Sequence, residues 1–65
     1  MNDREDAIKM LNWLVENPGS TAYEISIGAG ISDPYRAFSL LAALEVAGAV
    51  SRRTAKSKVK WTIMP

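Results

Sequence analysis

Three clusters of helix-stopping residues divide this chain, and they leave room for three short helices and a terminal hairpin. Asn17-Pro18-Gly19 is the first cluster, Gly28-Ala29-Gly30 the second, and Gly48 the third. The residue before a proline avoids α geometry, and glycine turns freely. With 65 residues the chain is one domain, 1–65, and a single core of this size supplies only about 3–5 kcal/mol. Cysteine and histidine are both absent. Disulfides, thiolate metal sites and the usual general base are therefore excluded, and a homodimer is a reasonable expectation.

The segments between the stops read as helices. Asn2 and Glu5 have capping-box spacing, although Ser or Thr is the usual cap. Helix one is expected over about 3–16, with Ala7, Leu11 and Leu14 on its buried face and Ile8, Met10 and Val15 at the flanks. Trp13 falls off that face, so its ring either wraps the helix edge or meets a partner. Thr21 and Glu24 form a better capping box for helix two, about 22–29. Ala22, Ile25 and Ala29 share its inner face, and Gly30 suits a left-handed terminus. Gly28-Ala29-Gly30 is no dinucleotide loop: the sixth position is Asp33 and no strand precedes it. Helix three is expected over about 33–47, capped by Ser32 or Asp33, with Pro34 in its first turn. Ala37, Leu41 and Leu44 define its buried face.

The last segment, about 49–64, alternates as a hairpin does. Val59, Trp61 and Ile63 face inward, Lys58, Lys60 and Thr62 outward, with the tip near Thr54–Ser57. A short strand near Gly19–Thr21 can extend the sheet. Charge follows the same division. Residues 1–50 hold all seven acids and three bases, whereas residues 51–65 hold five bases and no acid. Such asymmetry suggests a polyanionic partner at one end. Lysines on an exposed sheet edge also block aggregation, a plainer role.

Thr21-Ala22-Tyr23-Glu24-Ile25, Gly30-Ile31-Ser32, then Leu41, Leu44-Glu45, Gly48 and Val50 resemble the winged helix-turn-helix superfamily of DNA-binding domains. The resemblance covers nearly the whole chain, and within the superfamily Tyr35-x-Ala37 followed by Leu41, Leu44-Glu45 and Gly48-x-Val50 is similar to the small regulators of pilus operons. It implies an α+β fold of three helices with a C-terminal β-hairpin wing. It further implies a small transcriptional regulator, with helix three in the major groove of double-stranded DNA and the wing on the backbone. Winged helices that bind left-handed nucleic acid carry Asn and Tyr four apart on helix three and a Trp in the wing. Trp61 matches that Trp, but Phe38 and Ala42 stand at the helix positions. The polar contacts are missing, so that activity is not expected.

The candidate DNA contacts are Thr21, Ser32, Tyr35, Arg36, Ser39, Ala43, Arg52, Arg53, Lys56, Lys58 and Lys60. Arg53, Lys58 and Lys60 share a side away from the core, Lys56 sits at the tip, and Arg52 lies nearer the core but can reach outward. These cations suit phosphates. Arg36 suits guanine, Tyr35 and Ser39 suit phosphates or bases, and Ala42 or Ala43 suits a thymine methyl. The alternative is a protein-interaction module built on Trp13, Ile27, Ala42 and Val46, apolar or aromatic residues on outward faces. An enzyme is not expected, since no nucleophile–base pair can be assembled without His or Cys. No cofactor, metal or small-molecule substrate is implied. The polar start and the broken apolar stretch at Phe38–Val50 suggest no signal sequence and no membrane span. The expected location is cytoplasmic, and nucleoid-associated if DNA is bound.

Overall fold

The structure is a computed structural model, and it describes residues 2–64. Its elements run α1 (Asp3–Glu16), α2 (Ala22–Ala29), α3 (Pro34–Val46), β1 (Val50–Ala55) and β2 (Lys58–Ile63). Each helix begins where a side chain satisfies an orphan backbone donor. Asn2 Oδ1 accepts from the Glu5 N–H at 3.1 Å. Thr21 and Glu24 make the full reciprocal box, at 2.8 and 3.2 Å. Asp33 Oδ1 accepts from the Tyr35 N–H at 2.9 Å, with Pro34 opening the helix.

The ends are equally local. Gly30 takes φ 76°, which an L side chain resists. The Ile31 N–H then reaches back to the Ser26 carbonyl at 2.7 Å, and the Ile31 side chain drops into the core. β1 and β2 pair antiparallel through a two-residue turn, Lys56-Ser57, so the tip is tighter than the Thr54–Ser57 segment expected. Both turn residues have positive φ, 51° and 67°. This is the primed geometry whose twist matches that of the strands. An isolated bridge joins Ser20 to Trp61, through Gly19 N–H to Trp61 C=O at 2.9 Å and Trp61 N–H to Ser20 C=O at 2.8 Å. The third strand expected near Gly19–Thr21 is reduced to that bridge.

The core is Met10, Leu14, Ile25, Ile31, Ala37, Leu41, Val50 and Trp61. It lies between the three helices and one face of the hairpin. The inner stripe of α1 holds the expected Leu11 and Leu14, but Met10, expected at the flank, is at its centre. Met10 and Leu14 are fully buried, while Ile8 and Val15 are about half or more exposed. Trp13 explains the rotation. Its ring packs against the core and lies over Gly28 of α2, where a Cβ would collide with the indole. Met10, Trp13 and Leu14 (i, i+3, i+4) therefore lie on the stripe, with Leu11 packed beside them. Trp13 closes the α1–α2 seam and is not turned toward a partner. No helix among the described residues is long and apolar enough to cross a membrane.

Candidate nucleic-acid interface

The outward face of α3 carries few hydrogen-bonding groups. Tyr35 is 85% exposed and Val46 90%. Ser39 and Ala43 are exposed and Ala42 is half-buried. Ser32 stands exposed in the turn before the helix. Arg36 does not share this face, contrary to expectation. It turns to α1, where Nη2 lies 2.6 Å from Asp6 Oδ2 and Nη1 2.6 Å from Asp3 Oδ1. Hydrogen bonds that it donates to Asp6 first, then to Asp3, raise its pKa further. The only basic residue of α3 thus ties two helices together, which leaves its reading face without a cation.

Where α3 meets the hairpin, aromatic rings and one arginine stack. Phe38 and Trp61 pack edge to face, with ring centroids 5.7 Å apart at 81°. Such pairs are worth about 0.5–1.5 kcal/mol beyond the area they bury. The Arg52 guanidinium lies over both rings, 4.7 Å from the Trp61 centroid and 5.5 Å from that of Phe38. Glu45 of α3 holds it there, with Nη2 2.9 Å from Oε1. Trp61 is fully buried beneath this cover. Arg52, expected to reach outward to phosphate, is engaged with α3 in this arrangement.

The other hairpin cations are free. Arg53, Lys56, Lys58 and Lys60 are exposed, and none has a carboxylate partner among the described residues. Lys58 and Lys60 border a groove whose far wall is Thr21, Tyr23 and Glu24 at the start of α2. Glu24 is the acid in this groove. Hydrogen bonding to the Thr21 backbone, then to its side chain, holds the Glu24 carboxyl below its ordinary range, and Lys60 and Lys58 add to this. A second recess lies beyond Lys60, between the Pro18-Gly19 turn and the outer face of the hairpin. Ile27 is 63% exposed on α2.

No protein-family model matches the chain, and no curated protein does. Among solved structures it is similar to the Zalpha domain of Carassius auratus PKZ, determined in complex with Z-DNA. The TM-score is 0.82 at 24% identity, over 95% of this chain and 97% of that one. The fold is a winged helix-turn-helix. In this winged helix, α2 and α3 are the helix-turn-helix and the β1–β2 hairpin is the wing.

Set on that frame, the candidate residues fall into separate groups. Tyr35, Ser39 and Ala43 stand on α3. Thr21, Lys58 and Lys60 meet across the α2–wing groove, and Arg53 stands opposite Lys60 on the wing. Arg36 and Trp13 belong to helix seams. Four residues of this surface are not among the candidate contacts read from the sequence. Tyr23, 63% exposed, comes two residues after the Thr21 cap and lines the groove. Phe38, which the sequence marks only as a helix position without a polar contact, forms the cover of Trp61. Ser51 and Thr62 pair beside Arg53 and Lys60. Strand alternation marks that last pair once the register is known.

Proposed function

We propose that this winged helix binds double-stranded DNA as a small transcriptional regulator. The N-terminal half of α3 lies in the major groove, and the wing cations lie on phosphates. The observation that carries the reading is the set of four free cations, Arg53, Lys56, Lys58 and Lys60, on a wing without a single acid. Affinity then comes mostly from the wing. Base readout is limited to Tyr35, Ser39 and a methyl contact from Ala43, so a second subunit or a partner protein supplies further specificity.

Titration with a random duplex at two salt concentrations tests this. Four neutralised phosphates give a log–log slope of about −3.6, and affinity falls about a hundredfold between about 50 and 200 mM salt. Absence of duplex binding at low salt refutes the reading. The duplex is right-handed, because Phe38 and Ala42 offer no polar contact and Trp61 is covered by Arg52. Conversion of an alternating CG duplex to the left-handed circular-dichroism spectrum on adding protein overturns that part.

One observation favours a second reading, a protein-interaction module. Val46 and Ile27 are large apolar side chains, 90% and 63% exposed, on the two helices of the helix-turn-helix. On this reading Val46→Glu abolishes partner binding. An unchanged set of interactions in that variant removes it.

A further inference from the structure

Most of the free charge on the wing looks away from α3. Directly opposed residues of an antiparallel pair share a face of the sheet. Val50, Arg52 and Thr54 stand opposite Ile63, Trp61 and Val59. Theirs is the face that Phe38 of α3 meets at Trp61. Arg53 stands opposite Lys60, Ala55 opposite Lys58 and Ser51 opposite Thr62. These six make the outer face.

Arg53 and Lys60 therefore stand side by side, and like charges directly opposed destabilise a strand pair. Neither forms an ion pair with a carboxylate among the described residues, and only Glu24, across the α2–wing groove, acts on Lys60 from a distance. Ser51 and Thr62 come two residues further along the same face, about 7 Å away at strand spacing. Pro18 and Gly19 wall one side of the recess over this square. Protection of a sheet edge needs only charge along the strand. It does not call for two opposed cations with two hydroxyls beside them in a recess. Two cations and two hydroxyls match the oxygens of a phosphodiester, and arginine can hold two of them at once.

We infer that Ser51, Arg53, Lys60 and Thr62 form a seat for the phosphate backbone of a second duplex segment, so that one molecule bridges two segments. The inference rests on the DNA-binding reading and divides its phosphate contacts between the two. The seat and the α3 side of the wing lie on opposite sheet faces of a body 32 × 22 × 20 Å. A duplex with a persistence length of about 50 nm does not fold round an object that small. A segment engaged by α3 therefore leaves the seat open for another.

The experiment is capture of a labelled duplex by a bead-tethered duplex, with wild-type protein and with Arg53→Glu/Lys60→Glu. Wild type captures the labelled duplex at low salt. The variant captures at least about tenfold less than its own binding to a single duplex, followed at the Tyr35 and Ser39 amide resonances, accounts for, a loss in keeping with two fewer contacts to the second segment. The milder Arg53→Gln/Lys60→Gln variant, checked for an unchanged thermal unfolding curve, shows the same loss. Unchanged capture by either variant overturns the seat. Loss of the Tyr35 and Ser39 response along with capture shows a single contact surface and overturns bridging. Wild-type binding to the tethered duplex without capture overturns bridging and leaves the DNA-binding reading intact, whereas no binding to the tethered duplex sinks both. Inorganic phosphate that shifts Arg53 and Lys60 resonances when duplex does not assigns the seat to a small phosphate ligand and overturns bridging.

Discussion

Arg36 Nη2 lies 2.6 Å from Asp6 Oδ2, and this pair fastens the start of α3 to the start of α1 across 30 residues of sequence. The pairing withdraws the sole cation of α3 from any groove. Asp3→Asn with Asp6→Asn should lower the melting temperature. It should also free one cation near the DNA, steepening the log–log salt slope by up to about 0.9. Thermal unfolding and duplex titration measure the two effects. A variant of unchanged stability would show that the ion pair contributes nothing.

Gly28 is required by its neighbour. A Cβ there would occupy the space of the Trp13 indole. Gly28→Ala should cost about 1–3 kcal/mol by overpacking, even though alanine is the better helix former. Chemical denaturation gives the value. Stabilisation by the alanine would mean that the Trp13 ring leaves the seam without loss.

The α2 capping box predicts a pH dependence. The folded-state pKa of Glu24 lies below its ordinary value of 4.5, chiefly through hydrogen bonding to Thr21. The unfolded chain therefore binds this proton more readily. The stabilisation is complete above about pH 4.5 and is lost as the pH falls through the lower folded value. Glu24→Gln keeps an acceptor for the Thr21 N–H but has no proton to gain. Its unfolding curves should be less sensitive to acid over that range.

The wing turn holds Lys56 and Ser57 at φ 51° and 67°, where side chains other than Asn, Asp and Gly are strained. Replacing Lys56-Ser57 with Asn-Gly should stabilise the domain by about 1 kcal/mol or more. The same change removes the cation at the tip, so the salt slope should flatten by about 0.9. Stability and DNA affinity then move in opposite directions. A variant that gains both would show that Lys56 touches no phosphate.

The sequence by itself determined every element whose signal is local. The Thr21–Glu24 box, the Gly30 terminus, Pro34 after Asp33, and the alternation of Val59, Trp61 and Ile63 each act within a few residues. The order helix, helix, helix, hairpin could therefore be read from them. The basic wing was legible for the same reason, since its charges are contiguous. Only the tertiary structure decided how these pieces face one another. Periodicity found Leu11 and Leu14 but left Met10 at a flank and Trp13 off the face, because the contact of Trp13 with Gly28 joins two helices. It left Arg36 pointing outward, because its carboxylate partners lie about 30 residues earlier. It could not foresee that Glu45 and two aromatic rings hold Arg52, or that a two-residue turn aligns Arg53 with Lys60. Caps and turns are short-range hydrogen bonds written in adjacent residues, whereas the choice of partner for a long charged side chain is made only when distant surfaces meet.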